Sequence, residues 1–323
     1  MVTSNLFNLL NPFKLAPYVF FGNKMLFPTE IAPALVENDL CKSVGKTRPL
    51  GGGSINNSYS VETDRGMLFV KLNSLALTPH EVNMALDSAD MFAAENESLL
   101  ALSAVVPNFT PKPLLHSPFP GRDDGSAFLV TEFVPLASRS GAAAMQRELA
   151  KRVARLHETE SPTGMFGFHM DTMCGSTRQE NGWTSSWEEF FREKRLKALV
   201  RLCVQKWGPD DEVEKLMERI CDKVVPVLVG RLKGVRPVLL HGDLWSGNWG
   251  VNSDTGEPVI YDPSSYYPST RSTTSTIHVS SHTSPSGWSS MSFITISITG
   301  TSSGEGIAPG EGIETVPCGS CKC

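Results

Sequence analysis

Apolar and polar residues alternate in two short runs, 59–63 and 67–72, on either side of Asp64-Arg65-Gly66. The pattern predicts strand, tight turn, strand, with Val70 and Leu72 on one face and Lys71 on the other. Upstream, residues 30–50 combine a short helical pattern with a linker bearing Lys and Arg, which Gly51, Gly52 and Gly53 interrupt. Between 90 and 102, Met91, Phe92, Leu99 and Leu102 recur at helical spacing, and Pro107 ends the element. Residues 128–134 read as a buried strand closed by Pro135, and 141–158 as an amphipathic helix. Two further helices are predicted over 183–204 and 211–229, joined by a turn in which Asp210 is the N-cap. Then come two short apolar runs, 238–240 and 259–261, the first leading into His241-Gly-Asp-Leu-Trp-Ser-Gly-Asn248 and the second into Asp262.

Beyond Asp262 the pattern is lost. No Leu follows Leu244, Ala308 is the only Ala after Asp262, and Ser and Thr dominate 269–303. Such a composition cannot build a helical core. Residues 291–298 alternate as a strand might, with no evident partner, so the tail is expected to be disordered.

Composition narrows the function. A net charge of −5, with no cluster of Lys and Arg, argues against nucleic acid as a partner. No apolar run approaches the roughly 20 residues that span a bilayer, so no membrane partner is expected. Seven cysteines, three of them in the last six residues, make neither a disulfide framework nor a four-ligand zinc site. A cytoplasmic location is expected; residues 1–29 carry Lys14 and Lys24 with no acid or Arg, so a mitochondrial address in this extension stays open.

The chemistry-bearing residues fall in a meaningful order. Asp243 and Asn248 have the spacing of the H-R-D-L-x-x-x-N catalytic loop of kinases, with Gly242 in place of the Arg. Asp243 is the candidate to accept or orient a hydroxyl proton, and Asn248 and Asp262 are candidate oxygen ligands for Mg2+. The turn at Gly51, Gly52, Gly53 and Ser54 could lay backbone N–H groups over phosphates. Phe69-Val-Lys71 has the form of the strand whose lysine contacts those phosphates and pairs with a helix carboxylate. Glu95 is that carboxylate by position, with Glu97 as the second choice.

Seven stretches carry a family resemblance: Leu50-Gly-Gly-Gly-Ser-Ile, Phe69-Val-Lys-Leu-Asn73, Met91-Phe-Ala-Ala-Glu95, Gly164-Met-Phe-Gly-Phe-His169, Trp187-Glu-Glu-Phe-Phe191, 240–248, and Ile260-Tyr-Asp-Pro-Ser-Ser-Tyr266. Over residues 45–267 the chain resembles the fructosamine and ribulosamine (ketosamine) 3-kinases, protein-kinase-like phosphotransferases acting on small molecules. The resemblance implies ATP and Mg2+ as cofactors, and transfer of phosphate to the sugar 3-hydroxyl of ketoamine adducts on glycated proteins or on lysine itself, which leads to deglycation. It also implies that the backbone of Glu132, Phe133 and Val134 meets adenine, and that Trp245 and His241 bind substrate at the sugar pocket. Some relatives carry a cysteine where this chain has Ser54.

The expected fold is therefore α+β and bilobal: an extension (1–40), a small β-rich N-lobe (41–134), a mainly helical C-lobe (135–267) and the Ser/Thr-rich tail (268–323). The sequence after Tyr267 departs from the family, so the C-lobe is expected to be incomplete, with the tail read as a shifted frame, retained intron or altered splice site. Two alternatives stand beside the ketosamine kinase: a small-molecule kinase of the aminoglycoside or choline type, and a kinase-like nucleotide-binding protein without activity.

Overall fold

The computed structural model describes residues 27–28, 30–51, 56–73, 88–122, 125–137, 142–175, 177–269, 277–282, 291–296 and 315–317. Its first layer is a five-stranded antiparallel sheet made of β1 (Val44–Leu50), β2 (Asn57–Thr63), β3 (Gly66–Asn73), β4 (Pro113–Pro118) and β5 (Ala127–Glu132), in the order β1-β2-β3-β5-β4. The predicted hairpin is β2–β3, in register from Thr63↔Gly66 to Asn57↔Leu72. Lys71 pairs with Leu129 of β5, and Val70 with Val130, so the two faces alternate as strand geometry demands.

Both faces are covered. Val70, Leu72, Phe128 and Val130 pack with Ile31 and Leu35 of α1 (Ile31–Glu37). On the other side Ala127 and Leu129 pack with Phe92 and Leu99 of α2 (Ser88–Val105). This double coverage is why β5 reads as one unbroken apolar run. Helix α2 continues past the sheet, where Leu102 joins Phe109, Leu239 and Ile260, together with Leu156 of α3 (Ala142–Glu158), in a second core. A single helix thus belongs to both hydrophobic cores.

The remaining helices form a third cluster. Ser186 caps α4 (Trp187–Phe190) by accepting from the Glu189 amide at 3.3 Å, and the helix runs through a π-helical stretch (Phe191–Lys197) into α5 (Ala198–Trp207). Asp210 caps α6 (Asp211–Arg219) with bonds of 3.0 and 3.1 Å from Glu212 and Val213, as expected. A second π stretch (Ile220–Val224) leads to α7 (Val225–Leu228). The first of these helices starts four residues later than predicted, because Thr184 is held extended by a bridge to Phe166.

Four expectations need correction. Residues 44–50 are a strand rather than a linker, and β4 was not foreseen at all; both lie at sheet edges. An edge strand tolerates Pro49, Pro113 and Pro118, and β1 keeps a polar, exposed composition that hides its pairing. The extension does not reach residue 40, since Ile31 and Leu35 are fully buried in the N-lobe core. The strand β11 (Met291–Ile296) does have partners, β10 (Ile277–His282) and β12 (Thr315–Pro317), both antiparallel. The remaining tail expectations lie outside the described residues. Among the described residues no helix is long and apolar enough to cross a membrane, and Cys41, Cys174, Cys203 and Cys221 form no disulfide.

The placement of α1 has a measurable consequence. Leu35→Ala is expected to destabilise the protein by about 2–5 kcal/mol in urea denaturation, the range for a fully buried leucine, whereas a residue in a dispensable extension would leave the midpoint unchanged.

Candidate active site

The site forms where β3, α2 and a short hairpin converge. Lys71 points to the α2 face of the sheet, and its Nζ donates to both carboxylate oxygens of Glu95, at 3.0 and 2.8 Å. It donates also to Oδ1 of Asp262 at 3.0 Å. Glu97, the second choice, faces elsewhere and contacts His169. Burial opposes the charge on Lys71, but the carboxylates of Glu95 and then Asp262, with the hydrogen bonds to both, outweigh it and raise its pKa. Burial pushes Glu95 up, against the pull of Lys71. Two short bonds from one ammonium to both its oxygens are the geometry of a charged pair.

The hairpin consists of β8 (Trp249–Val251) and β9 (Pro258–Ile260), which follow the small pair β6 (Thr172–Cys174) and β7 (Thr177–Gln179). Trp249 pairs with Ile260, and the Tyr261 amide donates to the Asn248 carbonyl at 3.0 Å. Residues fourteen apart in sequence, Asn248 and Asp262, are thereby brought to one end of the same hairpin. Asp262 adopts φ 57°, a left-handed conformation that Asp tolerates better than most side chains. Its side chain is 47% exposed, so it meets solvent while still holding Lys71.

Three contacts shape the loop carrying Asp243. The Asn248 amide group donates to the Asp243 carbonyl at 2.9 Å and to its Oδ2 at 3.1 Å. Gly242 has φ 87°, and a Cβ there would lie 1.8 Å from the Ser264 carbonyl oxygen, so only glycine fits where other kinase loops carry Arg. His241 is 3% exposed: its Nε2 lies 3.1 Å from the Tyr261 carbonyl, and its Nδ1 accepts from the Asp243 amide at 3.3 Å. Burial lowers its pKa to about 4, so the ring is neutral, with the proton on Nε2. Both nitrogens are spent inside the protein, which corrects the expectation that His241 faces a sugar pocket.

Trp245, by contrast, is 58% exposed, and its indole folds over Gly247, where a Cβ would meet Cζ2 at 2.2 Å. Gly51 lies at the end of β1, while Gly52, Gly53 and Ser54 lie outside the described residues. Glu132 ends β5, its amide donating to Lys112 at 2.9 Å, and Phe133 and Val134 lead directly to Ala137, whose amide bonds Val251.

Two contributors escaped the sequence reading. Cys174 sits beside the loop, and burial, then the Asp243 carboxylate with which it shares a hydrogen bond, push the thiol up to about 11. It is therefore a neutral S–H donor. Ser98, fully buried on α2, accepts from the Ser265 amide at 3.2 Å and so ties the helix to the segment after Asp262. Its one legible signal was its place, three residues after Glu95 on the same helix face.

The fructosamine kinase family model matches residues 29–274. The chain belongs to the fructosamine kinase family. It is 33% identical over 234 residues to a rice (Oryza sativa subsp. indica) protein named protein-ribulosamine 3-kinase, chloroplastic, covering 72% of this chain and 62% of that one. The chain thus spans about three-fifths of the length of the curated rice relatives it matches. It is 32% identical over 250 residues to mouse (Mus musculus) ketosamine-3-kinase, covering 70% of this chain and 74% of that one. The crystal structure of a putative fructosamine-3-kinase from Thermobifida fusca superposes with a TM-score of 0.57 at 24% identity, covering 75% of each chain. The fold is accordingly the kinase-like α+β architecture.

Two outcomes follow from the loop geometry. His241 is neutral when folded down to about pH 4 and titrates near 6.5 when unfolded, so the stability it provides is complete above pH 6.5 and is lost as the pH falls towards 4. The loss amounts to about 3 kcal/mol and should be missing from the pH dependence of His241→Asn unfolding. Gly242→Ala must strain both its φ and the Ser264 contact, and is expected to cost more than about 2 kcal/mol in thermal denaturation. A wild-type melting temperature would mean that the loop has another conformation.

Proposed function

We propose that this chain is an ATP-dependent kinase that phosphorylates the 3-hydroxyl of ketosamines, the fructosyl or ribulosyl adducts on lysine and on proteins, and so initiates deglycation. The observation that carries the reading is the buried Lys71–Glu95 pair, joined by Asp262, in the same site as Asp243 and Asn248, because phosphoryl transfer depends on positioning and charge. The names of the rice and mouse relatives supply the substrate class. ATP would lie between the Gly51–Gly53–Ser54 turn and Lys71, with adenine against the backbone of Glu132, Phe133 and Val134.

In this reading Asp243 takes the proton of the attacking hydroxyl. Asn248 holds the Asp243 carboxylate through Nδ2, and its Oδ1 together with the partly exposed Asp262 carboxylate would hold a cation. These two hard oxygen donors fit Mg2+, which is commonly held by one or two protein groups plus substrate phosphates. Bound there, Mg2+ would neutralise charge on the phosphates. Lys71 stays protonated, and Glu95 keeps it aimed. Cys174 donates its S–H to Asp243 until a substrate hydroxyl replaces it. Trp245 offers an aromatic face to the sugar, and His241 positions the loop from inside. A cytoplasmic location is part of the same reading.

The test is ATP-dependent phosphate transfer to a ketoamine-lysine by purified protein. Wild type should transfer, and Asp243→Asn should be slower by about a hundredfold or more, the usual weight of a general base. A folded protein stabilised by MgATP yet unable to transfer would be a nucleotide-binding protein instead.

A further inference from the structure

Helix α2 has a second face, turned away from Lys71. Glu97 lies two positions after Glu95, roughly 200° around the helix, and looks away from Lys71. There a cavity of about 430 Å³, open to the surface, separates α2 from the segment between α3 and α4. That is an ordinary size for a small-molecule site. Glu97 and Ala101 form its α2 wall, and Phe168, His169, Trp183 and Tyr267 form the wall opposite.

The aromatic wall is built tightly. Trp183 and Tyr267 have ring centroids 6.1 Å apart, Tyr267 and Phe168 also 6.1 Å, and Phe168 and His169 4.3 Å. Gly167 exchanges backbone hydrogen bonds with Tyr267 at 3.1 and 2.8 Å. A Cβ at Gly167 would lie 2.5 Å from the Asn181 carbonyl and 3.1 Å from the Trp183 ring, so glycine is required for the wall to close up. This accounts for the Gly164–His169 stretch, for which the proposed chemistry has no use.

The charge of the cavity selects its occupant. Among the described residues lining it none is Lys or Arg, and the acidic one is Glu97, its Oε2 3.2 Å from His169 Nε2 and its Oε1 3.3 Å from Asn96. A carboxylate in a cavity lined by Trp183 and Tyr267 is an environment for a cation. We propose that this cavity is a binding site for an organic amine, its ammonium held by Glu97 and its apolar or aromatic body lying against Trp183 and Tyr267. The site is separate from the candidate active site and does not depend on the kinase reading.

Tryptamine and indole-3-propionate make matched probes, one cationic and one anionic on the same ring, with binding followed by saturation-transfer NMR on the full chain. Tryptamine should bind at least about tenfold more tightly than the propionate. Glu97→Gln, a change at a half-exposed side chain, should remove that preference, and Ala101→Met, which fills the cavity, should abolish binding of the amine. Saturating ATP should leave tryptamine bound. The proposal is overturned if folded wild type does not bind tryptamine, if both probes bind alike, if either variant binds it as wild type does, or if ATP displaces it.

Discussion

Lys71 sits with its ammonium between two carboxylates, and the three groups come from a strand, a helix and the loop after a hairpin. Removing Lys71 or Glu95 would break the buried ion pair between them, a change that typically costs about 3–5 kcal/mol. The side chains of Lys71 and Glu95 are 9% and 12% exposed, so water cannot replace the missing group. The network therefore sets where α2 lies against the sheet and where Asp262 lies against both. Ser98 repeats the constraint one helical turn later through the Ser265 amide.

The loop of Asp243 depends on a different physics, that of close approach. Gly242 lets the backbone pass against Ser264, and the neutral His241 ring spans from the Asp243 amide to the Tyr261 carbonyl. Since the Tyr261 amide also bonds Asn248, the positions of Asp243, Asn248 and Asp262 are set by one continuous set of side-chain and backbone hydrogen bonds. Helix α2 in turn separates two environments: a cation held by acids on one face, and an aromatic cavity with its own carboxylate on the other.

Much of this was legible residue by residue. The β2–β3 hairpin, the α2 helix and the Asp210 cap follow from periodicity and turn chemistry, both local properties. The edge strands β1 and β4 were not legible, because an edge strand can be polar and can contain proline, so its own residues carry no strand pattern even though each pairs with the next strand in sequence. The strand at 291–296 was seen, but its neighbours at 277–282 and 315–317 were not, for the same reason. His241 was misjudged because motif adjacency says nothing about which way a ring points.

The sequence by itself determined the order of the chemistry: glycine turn, strand lysine, helix acids, Asp and Asn at catalytic spacing, then Asp262. Those assignments rest on local spacing, which a linear pattern records. Only the tertiary structure decided between Glu95 and Glu97 for Lys71, turned His241 inward, brought Cys174 to Asp243 and Ser98 to Ser265, and opened the cavity behind α2. Each of these depends on which groups distant in sequence become neighbours once the apolar faces are buried, and burial is a property of the whole packed molecule rather than of any segment.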